Sequence, residues 1–227
     1  TGGVAGVEAL LRWTADGSRR VPPNRFIPLL EQTGLIYDVG LWVLEQALLE
    51  HNRLLAKGFP PLRVSINLSL VQLQVDDFII DVSDAIRKSG VDPGYVELEI
   101  TESFFSENPQ EILDTVHQLK DLGVGIAIDD FGSGYSSFSR LKSIPFDRLK
   151  IDKKIIDHID LERRLAPLTE ISISLARTFK ASVTAEGVET KEQADFLKSL
   201  SCDEIQGFYY SKPLSPEALE AFLRKTP

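Results

Sequence analysis

Short β-branched or apolar runs alternate along this chain with longer amphipathic stretches, and no other feature constrains its fold as strongly. The short runs are Val4 to Trp13, Leu62 to Leu68, Tyr95 to Thr101, Val124 to Asp129, Arg148 to Asp152, Ala181 to Glu186 and Glu204 to Tyr209. Strand-length runs separated by helix-length ones are the pattern of a parallel sheet with crossover helices. The intervening stretches also have defined ends. Leu35 to Lys57 stops at Gly58, Asp77 to Ser89 at Gly90, and Pro109 to Leu122 at Gly123. Glycine suits those stops because it enters the left-handed region without a Cβ clash. A last helix begins at Ser215-Pro216, a capping residue followed by proline at a position that needs no amide hydrogen. Seven strands with intervening helices predict an α/β fold, a TIM-like (β/α)8 barrel with one strand unaccounted for. An open doubly wound sheet satisfies the same pattern. The longest irregular stretch runs from Thr14 to Asn24, and no linker divides the sequence, so residues 1–227 read as a single domain.

Composition narrows the partners. A net charge of −9 argues against a nucleic-acid polymer, whose phosphates need a basic surface. A phosphate ligand must then be met locally, and acids can meet one if divalent cations lie between. Cys202 is the single cysteine, which excludes an internal disulfide or a CxxC zinc site and fits a reducing, cytoplasmic setting. No apolar run approaches 20 residues, so no membrane contact is expected of this stretch. The chain has no methionine, an initiator included, which reads as an N-terminally truncated piece of a larger signalling protein. Sensor or membrane-anchoring segments would lie upstream.

Polar residues occupy the C-terminal part of nearly every predicted strand. They are Glu8, Asn67, Glu99 with Glu102, the pair Asp129-Asp130, Lys150 with Asp152, Glu186 with Glu189, and Gln206. A barrel gathers those strand ends at one mouth. A lone carboxylate there is ordinarily a solvated strand end. A series is different, because converging acids repel one another and must either protonate or hold cations. Oxygen-only ligands with an asparagine suit Mg²⁺ or Mn²⁺ better than Zn²⁺. The histidines, His51, His117 and His158, fall in helical stretches without ligand spacing.

Asp129 and Asp130 also open a small-residue segment that continues to Ser137. It lacks the GxxxxGK[ST] spacing of a nucleotide-binding P-loop. Adjacent aspartates can bridge two cations, and the glycines let the following turn move as a lid; a plain βα turn is the simpler reading. Lys150 lies inside an apolar strand, where an ammonium is costly unless carboxylates or a metal-bound hydroxide surround it. It either holds an attacking water or forms an ordinary ion pair with Asp152 or another barrel acid. Arg12 is placed either to meet a phosphate oxygen or to form an interior ion pair. Ser133 has no adjacent histidine base, which favours direct attack by water over a covalent route.

The ordered set Glu8-Ala9-Leu10, Asn67, Glu99-Ile100-Thr101-Glu102, Asp129-Asp130-Phe131-Gly132, Leu149-Lys150-Ile151-Asp152, Glu186-Gly187-Val188-Glu189 and Gln206-Gly207 resembles an EAL domain from about Val4 to Pro213. The resemblance implies a barrel with one antiparallel strand and a metal-dependent phosphodiesterase that linearises cyclic di-GMP to pGpG with water as nucleophile. It implies that Glu8, Asn67, Glu99 and Asp129 hold one Mg²⁺ or Mn²⁺ ion, and Asp129, Asp130 and Glu186 a second. Lys150 would position the water. Glu102 would anchor the loop after Asp130, which in this family couples to dimerisation, so a homodimer is implied. Leu10, Arg12, Asp152, Glu189, Gln206 and Pro213 would lie around the substrate, and a GGDEF domain could lie upstream. Two departures stand out. The chain begins at Thr1-Gly2-Gly3, so the usual first strand, antiparallel and bearing Tyr-Gln-Pro, is not part of it, and Ser133 stands where threonine is commoner. A non-hydrolysing receptor for cyclic di-GMP and a phosphodiesterase for another nucleotide are the alternatives.

Overall fold

A computed structural model of the chain describes residues 2–102, 109–132, 141–157 and 166–226. They belong to two compact units. The first comprises residues 1–98, 121–124 and 216–227, and the second residues 99–120 and 125–215.

In the first unit, β1 (Gly6–Ala9) is followed by a hairpin of β2 (Trp13–Ala15) and β3 (Arg19–Val21). Helices α1 (Pro23–Thr33) and α2 (Ile36–Ala56) lead to β4 (Arg63–Asn67), which runs parallel to β1 with Glu8 opposite Ser65. Two further helices, α3 (Leu70–Leu73) and α4 (Phe78–Ser89), precede β5 (Val96–Thr101). Leu48, Ile66, Phe78 and Val82 are all at most 1% exposed and form the centre of this core. The C-terminal helix, Pro216–Leu223, is tied to α2 through Glu220, which accepts from Arg53 at 2.9 Å and also meets Lys57.

Residues 99–101 of β5 open the second unit. It continues with α5 (Pro109–Asp121), β6 (Gly125–Phe131), β7 (Arg148–Ile151), α6 (Lys153–Ile156), α7 (Ala166–Thr178), β8 (Ser182–Ala185), α8 (Lys191–Ser199) and β9 (Glu204–Ile205). Strands β6 to β9 pair in parallel in sequence order. Ile126, Ile128, Leu149, Ile151 and Val183 are fully withdrawn from water and give the unit its core. Hydrogen bonding orders the strands β1-β4-β5-β6-β7-β8-β9. Among the described residues no helix is long and apolar enough to cross a membrane.

Three sequence expectations change. Val4 to Trp13 is not one strand: β1 ends at Ala9, and Trp13 begins the hairpin. For the same reason Thr14 to Asn24 is not irregular. Asp16 and Gly17 take positive φ of 51° and 71°, the geometry of a tight hairpin turn that matches the strands' twist. The run Glu204 to Tyr209 yields strand only to Ile205; beyond it the backbone passes so close to Val188 that a Cβ on Gly207 would fall 2.1 Å from the Val188 carbonyl oxygen. The backbone there packs against the turn after β8 instead of continuing as strand. The glycine stops hold, with Gly58, Gly90 and Gly123 all at positive φ.

Candidate active site

Four elements of the second unit deliver a buried lysine into a group of acids. Lys150 lies in β7 at 2% exposure, on the face of the strand opposite to Leu149 and Ile151. Its Nζ is 2.6 Å from Glu99 Oε2 at the end of β5, 2.7 Å from Glu186 Oε1 just past β8, and 3.3 Å from Asp129 Oδ1 in β6. Three carboxylates around one ammonium leave an excess of negative charge. Asp129 and Asp130 are presented by a bulge: Ile128 pairs with Leu149 and Phe131 with Ile151, so β6 carries one extra residue. Asp130 takes φ 54°, a conformation rare outside glycine and tolerated best by Asn and Asp. The bulge leaves Asp129 buried and turns Asp130 outward.

Carboxylate oxygens of Asp129, Asp130 and Glu186 lie within 4.8 Å of one another. Among the described residues Asp129 Oδ1 is buried without a hydrogen bond. Asp130 is held above the usual carboxylate range, first by loss of hydration and then by the charges of Asp129 and Asp152. Crowded oxygens, one of them met among the described residues only by the Lys150 ammonium at 3.3 Å, fit a hard divalent cation, which would satisfy the oxygens and keep the acids ionised.

In the first unit, Asn67 Nδ2 at the end of β4 donates to Glu8 Oε1 at 2.7 Å. That bond sets the Glu8 carboxylate and the Asn67 side-chain amide side by side. Leu10, 41% exposed, and Arg12 follow on the segment between β1 and the hairpin, and Arg12 bonds the Leu11 carbonyl at 3.0 Å.

The remaining predicted residues are placed as follows. Glu102 accepts from the Gly132 amide at 3.3 Å, at the point where the small-residue segment begins. The rest of that segment, Ser133 included, lies outside the described residues, as does His158. Asp152 is buried and caps α6, accepting from the Lys154 amide at 2.7 Å. Glu189 pairs with Lys153, a residue without any mark in the sequence because its partner is 36 positions away. Gln206 is exposed, and its backbone bridges Ala185 and Val188. Pro213 is exposed. His51 is buried in α2 against the Tyr95 ring, and His117 is exposed on α5, so neither serves these acids as a ligand set.

Residues 1–213 match the family model described as the EAL domain. The chain belongs to the EAL domain family. It is 39% identical over 223 residues to the oxygen sensor protein DosP of Escherichia coli K12, covering 98% of this chain and 28% of that protein. It is 38% identical over 220 residues to the bifunctional diguanylate cyclase/cyclic di-GMP phosphodiesterase MucR of Pseudomonas aeruginosa, covering 97% of this chain and 32% of that protein. The chain thus spans about a third or less of these curated relatives. A solved structure of the MucR phosphodiesterase in complex with c-di-GMP superimposes with a TM-score of 0.89 at 38% identity, over 95% of this chain and 87% of that one. The EAL fold agrees with the α/β reading: the sheet with its crossover helices is a partial (β/α)8 barrel, and the open doubly wound alternative falls.

Proposed function

We propose that this EAL domain hydrolyses cyclic di-GMP to linear pGpG, using two Mg²⁺ or Mn²⁺ ions, and that residues 1–227 act as one catalytic module. The observation that carries the reading is the buried Lys150 ringed by Glu99, Asp129 and Glu186. Such a group is expensive to bury, and hydrophobic residues would stabilise the barrel more cheaply. The relative MucR, named as a cyclic di-GMP phosphodiesterase, and its complex with that nucleotide support the choice of substrate.

Glu99, Asp129, Asp130 and Glu186 are the cation ligands of the second unit, and the family resemblance adds Glu8 and Asn67. Divalent cations bound there supply charge to the phosphoryl oxygens and acidity to a coordinated water. Lys150 keeps the surrounding acids ionised and offers its ammonium hydrogens to the attacking water, which fixes the direction of attack. Glu102, through the Gly132 amide, anchors the end of β6 and the segment that follows it. Arg12 is exposed and spends one guanidinium nitrogen on the Leu11 carbonyl, and its remaining donors meet non-bridging phosphate oxygens. Leu10, Asp152, Glu189, Gln206 and Pro213 complete the substrate contacts, Asp152 and Glu189 acting through the backbone and Lys153 they hold.

Incubation of the purified chain with cyclic di-GMP and Mg²⁺ or Mn²⁺, followed by chromatography, tests the reading. The expected product is pGpG, formed only with cation present. Unchanged cyclic di-GMP after long incubation with both cations overturns it.

A further inference from the structure

Arg12, Arg19, Arg20 and Arg25 fall between Leu10 and Leu30, a stretch with one acid, Asp16, in a chain of net charge −9. All four are exposed, and none forms an ion pair among the described residues. Surface arginines that stabilise a fold are usually paired or laid over apolar surface; these lie close together in sequence on one exposed segment, without an ion pair among the described residues.

Their scaffold is fixed. Strands β2 and β3 set Arg20 opposite Thr14 and Arg19 opposite Ala15, so the alternation of strand side chains sends the two arginines to opposite faces of the ribbon. Trp13 anchors the ribbon by packing edge-on at 5.8 Å against Phe26, which is buried in α1. The hairpin also follows directly from the strand that carries Glu8, with only Leu10 to Arg12 between.

An anionic ligand approaching a strongly acidic chain is repelled until it meets a local region of opposite sign. Exposed charges act over about 8–10 Å at ordinary salt, and a localised cationic surface can raise association rates by about 10- to 1,000-fold. Guanidinium groups match phosphate in fork geometry as well as in charge. We propose that the β2–β3 hairpin captures the anionic cyclic dinucleotide: Arg19 and Arg20 accelerate its encounter with the protein and deliver it to Arg12, without a part in bond cleavage. The proposal rests on the phosphodiesterase reading above.

Stopped-flow association of a fluorescent cyclic di-GMP analogue with Ca²⁺ present, alongside steady-state hydrolysis with Mg²⁺, tests it on the folded chain. In about 20 mM salt, R19E/R20E is expected to lower the association rate constant and kcat/KM about tenfold, with kcat and the dissociation rate within about twofold of the parent. The deficit should vanish near 500 mM salt, where screening is short-ranged. R19K/R20K should keep most of the rate, and K198E/K225E, with the same change in net charge, should lose little. An unchanged association rate in R19E/R20E overturns the capture role while leaving the phosphodiesterase reading intact. A deficit that persists at high salt, or an equal loss in K198E/K225E, also overturns it. If the unaltered chain neither binds nor cleaves the dinucleotide, the phosphodiesterase reading fails and the capture role with it.

Discussion

Lys150 Nζ lies 2.6 Å from Glu99 Oε2, and both residues are 2% exposed. Desolvating two charges costs several kcal/mol each, and their attraction alone seldom returns more than that. Glu186 and Asp129 sit close enough to share the ammonium, so the group is a charge network built around one cation. Its arrangement makes sense where further cations are to be bound.

Replacing Lys150 by methionine leaves Glu99 and its neighbours as uncompensated buried acids. The variant should lose about 3–5 kcal/mol of stability in the presence of a chelator. Added Mg²⁺ should recover part of that loss, because a divalent ion takes over the ammonium's electrostatic role. Denaturant unfolding with and without Mg²⁺ measures both quantities, and turnover should fall by about 100-fold or more.

Glu8 is half-buried near the end of β1, and its bond to Asn67 is exposed. Glu8→Ala should abolish hydrolysis while costing no more than about 1 kcal/mol of stability, the centre of the range for single substitutions. Parallel melting curves and product assays decide between a ligand and a structural residue.

Gly132 occupies φ 90°, and a Cβ there would come within 2.3 Å of Ile155 Cδ1. Gly132→Ala should destabilise the chain by about 1–3 kcal/mol. Among the described residues Glu102→Ala removes the acceptor for the Gly132 amide; it should lower kcat while leaving Mn²⁺ affinity intact, as kinetics and a metal titration on the same preparation would show.

His51 gives the stability a pH dependence. Burial holds its imidazole below the ordinary value, more strongly than its backbone bond at Leu62 raises it. The unfolded chain therefore binds the proton more readily than the folded one. Stability is present in full above the unfolded value of about 6.5 and is lost as pH falls through the lower folded value. Melting temperatures from about pH 7.5 to 5 should decline, and His51→Phe, which keeps a ring against Tyr95, should flatten the slope.

Much of this was legible in the sequence because it is local. Gly58, Gly90 and Gly123 mark helix ends through their own backbone conformations, and Lys150 betrays itself by standing between Leu149 and Ile151. The Asp16-Gly17 turn was legible in principle, but strands of three residues leave too little alternation to read. Other features depend on distant partners. The bulge that separates Asp129 from Asp130 exists only relative to β7, the capping role of Asp152 requires the short helix after it, and Lys153 meets Glu189 across a turn after β8. Periodicity carries no information about such pairings.

The most direct test is Mn²⁺ titration followed by electron paramagnetic resonance, on the parent chain and on Asp129→Asn, with Mg²⁺ as competitor. If the acids around Lys150 form a divalent-cation site, the parent binds Mn²⁺ and releases it to Mg²⁺, and Asp129→Asn loses at least about tenfold in affinity, the loss that even outer-shell partners produce. Equal Mn²⁺ affinity in the two proteins, or none in the parent, would contradict the account.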